Sequence, residues 1–127
     1  MLPVIVYDDD ERELAGIGDI VEGFRSALRV SVLTTHPEEA AQFIRAEKGM
    51  IMLISALGSS PDAEGAMLAR LAQEGGRGGY VVLLLESLDA LDRVLDGSFQ
   101  ISGLLVRPFS RNRAARLIRS VALAFGA

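Results

Sequence analysis

The chain predicts an α/β domain: a (βα)5 doubly wound, five-stranded parallel sheet in the order 2-1-3-4-5, with helices on both faces. Three observations predict it. Four short runs, Val4–Tyr7, Met50–Ile54, Tyr80–Leu85 and Leu104–Val106, are continuously apolar, as parallel strands covered on both faces must be. A fifth run, Leu28–Leu33, alternates instead, with Arg29 and Ser31 on one side, which is the pattern of an edge strand. Segments of helical period lie between the runs, so that strand and helix follow one another five times.

The elements follow in order. After the first strand, Leu14, Ile17, Val21, Phe24 and Leu28 recur at helical spacing. After the second, Thr35-His36-Pro37-Glu38 reads as a capping box with proline in the first turn of a helix carrying Ala40, Phe43 and Ile44. Met50 and Met52 are expected in the core of the third strand. Leu68 and Leu71 mark a third helix, ended by the flexible glycine-rich connection Gly75 to Gly79. Leu88, Leu91 and Leu95 mark a fourth, and Leu117, Ile118, Val121 and Phe125 a fifth. Parallel strands require right-handed crossovers, and ligands of such sheets bind beyond the carboxyl ends of the strands, where the winding reverses. Here that point falls between strands one and three, and Asp8, Asp9 and Asp10 stand directly after strand one.

Composition narrows the chemistry. A chain of 127 residues, half of them hydrophobic and with net charge -4, makes one domain over residues 1–127. No apolar run reaches membrane-spanning length and the first residues lack a signal-peptide pattern, so a cytoplasmic location is expected. Cysteine is absent, which excludes disulfides, thiolate catalysis and Cys-based zinc sites. The single His36, expected as a surface residue at a helix start, excludes multi-histidine metal sites and a Ser-His-Asp triad. Carboxylates and arginines must carry any chemistry, and they are unevenly placed: residues 107–127 hold five arginines and no acid.

Adjacent carboxylates at a strand end repel, by roughly 3 kcal/mol at about 5 Å and an effective dielectric of about 20. A divalent cation or a guanidinium is the usual remedy. The plainer reading is that Asp10 caps the first helix while Asp8 and Asp9 face water.

In these residues the chain resembles the receiver domain of two-component response regulators, the CheY-like branch of the flavodoxin-like folds, over essentially its whole length. Val4-Ile-Val-Tyr-Asp8-Asp9-Asp10 is similar to that family's first strand and acidic pair, which binds Mg2+ in functional receivers. Glu64-Gly65 is similar to its Asp-Gly at the third helix, and Ser102-Gly-Leu-Leu-Val-Arg107-Pro108-Phe109 to its fifth strand and Lys-Pro motif. The segment Glu64-Gly-Ala-Met-Leu-Ala-Arg70 is also similar to receivers that precede LytTR-type DNA-binding domains.

The departures are specific. The phosphoryl-accepting aspartate of the family falls on Ala56, or on Leu57 in an alternative alignment, and Asp62 lies too far along its loop to substitute. The Ser or Thr that senses the phosphoryl group aligns with Glu86, followed by Ser87, and the ion-pairing lysine has become Arg107. One acid is lost and one gained, while a guanidinium can bridge carboxylates from two directions. Arg107 is therefore expected to pair with Glu86, Asp8 or Asp9, against the plainer reading that it points outward. With the third carboxylate gone, Mg2+ binding at Asp8 and Asp9 is expected to be weak or absent, and no other cofactor is implied.

Asp89, Asp92 and Asp96 form a stripe on the fourth helix, and Arg113, Arg116 and Arg119 one on the fifth. A two-fold axis there would set acid against base, as an isologous dimer requires, and receivers often dimerise through the face made by helix four, strand five and helix five. The plainer reading is that the stripes are solvated pairs within one monomer. No aromatic platform accompanies the arginines and the pI is near 5, so neither direct nucleic-acid binding nor membrane binding is expected.

The resemblance thus implies a degenerate, non-enzymatic receiver, acting in signal transduction and transcription regulation through protein partners, itself or an output module, without aspartyl phosphorylation. The alternative is a receiver that keeps Mg2+ or small-anion binding at Asp8, Asp9 and Glu86 and switches with it. An enzyme reading, with Asp8 and Asp10 as the Asp-x-Asp pair of a haloacid-dehalogenase-like phosphatase, lacks that family's later acidic pair and its length.

Overall fold

A computed structural model describes residues 1–57, 64–92, 97 and 99–125. Five strands, β1 (Leu2–Tyr7), β2 (Leu28–Thr34), β3 (Met52–Ala56), β4 (Tyr80–Leu85) and β5 (Gly103–Val106), pair in parallel in the order β2-β1-β3-β4-β5. Helices α1 (Glu11–Glu22), α2 (Pro37–Ala46), α3 (Glu64–Gln73), α4 (Asp89–Asp92) and α5 (Arg111–Ala124) alternate with them, and a short 3-10 turn follows α3 at Glu74–Gly76.

The continuous apolar runs are continuous because each strand feeds two cores. Val4 and Val6 of β1, Met52 and Ile54 of β3, and Val82 and Leu84 of β4 pack with Leu14, Ile17, Ile20 and Val21 of α1 and Ile118 and Val121 of α5. Their neighbours Ile5, Tyr7, Leu53, Val81, Leu83 and Leu85 point the other way, onto Ala40 and Ile44 of α2 and Leu68 and Ala72 of α3. Each fully buried aliphatic side chain contributes about 1.5–3 kcal/mol of transfer free energy. The two layers together therefore decide the fold.

β2 is the edge strand that its alternation predicts, but with an irregularity. Val4 pairs with Val30 and Ile5 with Val32, so Ser31 is bulged out of register. Past the bulge the facing of the strand resets, leaving Leu33 exposed and Thr34 buried.

Other expectations are corrected. α1 stops at Glu22; Phe24 is half-buried in the following turn and Leu28 already belongs to β2, because an apolar period does not mark where a helix ends. Thr35 caps nothing: His36 occupies the N-cap without a side-chain bond, and Thr34 Oγ1 accepts from the His36 N–H at 2.9 Å. Met50 precedes β3 and is 38% exposed, while Leu88 and Phe125 are exposed rather than on apolar helix faces. In the glycine-rich connection Glu74–Gly76 form a 3-10 turn, with Gly75 at φ 70°, a left-handed conformation that glycine adopts without strain. Leu95 lies outside the described residues.

Candidate functional site

The site forms where β1, β4 and β5 end together. β1 and β3 are in register at Tyr7 and Ser55, so the next residues, Asp8 and Ala56, stand side by side. β4 and β5 are in register at Leu85 and Val106, so Glu86 and Arg107 follow as the next pair, and the Arg107 N–H extends the ladder to the Leu85 carbonyl at 2.8 Å. Arg107 precedes Pro108 through a cis peptide bond.

Arg107 is the centre of the arrangement. Its Nη2 donates to Asp8 Oδ2 at 2.6 Å and its Nη1 to Glu86 Oε1 at 2.8 Å. Its Nε lies 2.6 Å from Glu13 Oε2. The last contact is an ion pair of two buried atoms whose N–H is not aimed at the oxygen, so it is held by charge rather than by a directed hydrogen bond. The guanidinium side chain is only 13% exposed and joins β1, α1 and the end of β4 through three carboxylates. Five donors in a fixed planar fork suit arginine to this and lysine poorly.

Asp8 is fully buried, contrary to the reading that it faces water. Its Oδ1 accepts the Asp10 N–H at 2.9 Å and its Oδ2 is held by Arg107. Burial pushes its carboxyl up to about 6, because dehydration of the charge outweighs the Asp10 N–H and the Arg107 cation that pull it down; Asp9 adds to the rise. The folded chain therefore holds this proton more tightly than the unfolded chain, whose aspartate titrates near 3.9. The sign follows: this group's contribution to stability falls as pH rises from about 4 to about 6 and stays low above. Burial also opposes the charge on Arg107, but Asp8, Glu13 and Glu86 together raise its pKa above the ordinary value, so it stays charged.

Around this centre Asp9 is exposed, and Asp10 is the N-cap of α1, accepting from the Arg12 and Glu13 N–H groups. Ala56 is buried, presenting a methyl group where the family resemblance expects a carboxylate, and Leu57 is buried beside it. The start of α3 is pressed onto this end of β3: a Cβ on Gly65 would lie 2.3 Å from the Ala56 carbonyl oxygen. Tyr7 donates its hydroxyl to Glu64 Oε2 at 3.1 Å, tying β1 to α3; burial foremost, then Glu64, raises the Tyr7 pKa to about 12. Ser87 is exposed just beyond Glu86. Asp62 and Asp96 lie outside the described residues.

Glu13 was not legible as a site residue. Its signal is the Asp10-Glu11-Arg12-Glu13 spacing, which has the form of a capping box. Here the box is opened: the Asp10 N–H turns to Asp8, and Glu13 is left to meet Arg107.

The residues present do not fit Mg2+. Both carboxylate oxygens of Asp8 are already engaged, a guanidinium sits 2.6 Å from one of them, and Ala56 supplies no ligand. Among the described residues no group of three or more His, Asp or Glu side chains is placed to hold a metal ion.

The charged residues expected along α4 and α5 are placed as follows. Asp89 and Asp92 are exposed on α4, and Leu91 packs against the same apolar cluster as Leu104 and Val106 of β5. The three arginines of α5 do not form one stripe. Arg113 borders a concavity with Leu104, Val106 and Pro108, whereas Arg116 and Arg119 border another with Phe24, beyond α1. Steps of three residues lag a helical turn by about 60° each, so a triplet at i, i+3 and i+6 winds around the helix.

Five parallel strands in the order 2-1-3-4-5 with five alternating helices make the fold seen in CheY-like receiver domains of response regulators. Known structures bear this out. A response regulator from Thermotoga maritima superposes with a TM-score of 0.74 over 97% of this chain and 98% of its own, at 16% identity. A CheY-like receiver domain protein from Methanospirillum hungatei JF-1 gives 0.74 over 98% and 95%, also at 16%. The chemotaxis response regulator CheY4 of Vibrio cholerae gives 0.70 over 95% and 98%, at 15%. At these identities the likeness is one of fold. No protein-family model and no curated protein matches the sequence. No helix among the described residues is long and apolar enough to cross a membrane.

Proposed function

We propose that residues 1–127 form a single degenerate receiver domain, a non-enzymatic signalling module that acts through protein contacts without aspartyl phosphorylation. One observation carries the reading: beside Ala56, which cannot accept a phosphoryl group, Arg107 is held by Asp8, Glu13 and Glu86 at 2.6, 2.6 and 2.8 Å. In a switchable pocket the cation answers to an arriving phosphoryl group. Here its three carboxylates come from the chain itself, which supports a pocket held in one state and without Mg2+. The exposed surface of α4, β5 and the start of α5, with Asp89, Asp92 and Arg113, is the proposed contact face for a second copy or an output module, the latter linking the domain to transcription regulation.

Incubation with acetyl phosphate and Mg2+, followed by intact mass and phosphate release, tests this. The expected result is an unchanged mass with no hydrolysis. A mass increase of one phosphoryl group overturns the proposal, and catalytic phosphate release supports the phosphatase reading in its place.

A further inference from the structure

A cleft of about 220 Å3 opens between α1 and the start of α5, next to the Arg107 centre but outside it. Its floor and walls are Gly16, Ile17 and Ile20 of α1 with Pro108 and Phe109 of the β5–α5 connection, and its two charged residues are Glu13 and Arg111. The apolar floor is open because α1 carries glycine where a side chain would fill it: a Cβ placed on Gly16 meets nothing within 4 Å. A mid-helix glycine costs about 0.5–1 kcal/mol relative to alanine. At this position it leaves a hole instead of a packed surface.

The charges decide what the hole suits. Glu13 is already paired with Arg107, so its charge is answered from within. Arg111 is exposed at the rim and makes no hydrogen bond or ion pair among the described residues. The unanswered charge of the cleft is therefore positive, above an apolar floor. We infer that this cleft is a binding site for a small amphipathic carboxylate, its apolar body lying on Ile17, Ile20 and Phe109 and its carboxylate meeting Arg111. Arginine takes a carboxylate through two parallel N–H bonds, which favours it over neutral oxygen ligands. The volume holds roughly seven water-sized groups, which sets the class at about six to eight carbons. Because Glu13 forms one wall and also holds Arg107, the site adjoins the Arg107 centre. It does not depend on how that centre is read.

Sodium octanoate, 1-octanol and octylammonium, each titrated into the whole chain and followed by backbone-amide NMR shifts, test the site. Octanoate is expected to give saturable shifts at Gly16, Ile17, Ile20, Phe109 and Arg111, with octanol at least about five-fold weaker and octylammonium weaker still. Gly16→Leu, which fills open space and restores helix propensity, is expected to keep the fold and abolish the shifts. Arg111→Ala is expected to erase the preference for octanoate over octanol. Equal binding of octanoate and octanol to the wild-type chain, an unchanged titration in folded Gly16→Leu, or no saturable shift with octanoate overturns the inference.

Discussion

Arg107→Met is expected to lower stability by about 3 kcal/mol at pH 8 and by about 1 kcal/mol or less at pH 5. The size follows from Asp8. In the wild-type chain its carboxyl titrates at about 6, so at pH 8 the folded state gains two pH units of ionisation, worth about 1.4 kcal/mol each. Without the cation 2.6 Å away, a fully buried carboxyl keeps its proton at pH 8 and that gain disappears. At pH 5 Asp8 is protonated with or without Arg107, and only packing and the contacts with Glu13 and Glu86 are lost; both carboxylates are partly exposed and can turn to water, which keeps that loss small. Urea unfolding of both proteins at the two pH values measures the difference. Equal losses at pH 5 and pH 8 would show that Arg107 acts through packing alone and not through Asp8.

Gly65→Ala is expected to cost about 2–4 kcal/mol, a large effect for a single methyl group. The added Cβ would stand 2.3 Å from the Ala56 carbonyl oxygen and 3.0 Å from the Leu57 Cα. Both belong to backbone that is locked into the β3–β4 ladder, where Leu57 N–H bonds the Leu84 carbonyl at 3.1 Å. Neither atom can swing aside as a side chain would, so α3 must back away, and Tyr7 loses its Glu64 partner with it. Gly16→Ala provides the contrast. It meets nothing within 4 Å and is expected to raise stability by about 0.5–1 kcal/mol through helix propensity alone. Thermal unfolding of the two variants decides it: a Gly65→Ala protein as stable as wild type would mean that α3 is not seated on the end of β3.

The architecture was legible because each strand must be apolar on both faces. Val4 to Tyr7 and Tyr80 to Leu85 each divide between two helical layers, and no other common element needs such short continuous runs. The edge position of β2 was legible from Arg29, but the bulge at Ser31 was not, because register depends on the partner strand. The helix boundaries near Leu28 and Thr35 are not legible for a related reason: period and composition report which face is buried, whereas the terminal turns are set by where the chain leaves one strand and enters the next. Within the site, Asp8, Glu86 and Arg107 could be found because each directly follows a strand and so arrives at the same end of the sheet. Glu13 could not, since it reaches Arg107 from the first turn of α1 only because the Asp10 N–H bonds Asp8. The spacing of the α5 arginines places them on the helix but not on a single neighbour: Arg113 and the pair Arg116 and Arg119 border different concavities.

Arg107, 2.6 Å from Asp8 Oδ2, is proposed to take the place that a metal ion and a phosphoryl group would need there. Amide NMR spectra recorded while Mg2+ and then Mg2+ with beryllofluoride are added to the wild-type chain test it most directly. No saturable shift is expected at Asp8, Asp9, Asp10, Ala56, Leu57, Glu86, Ser87 or Arg107. Saturable shifts at those amides, with either addition, would contradict it.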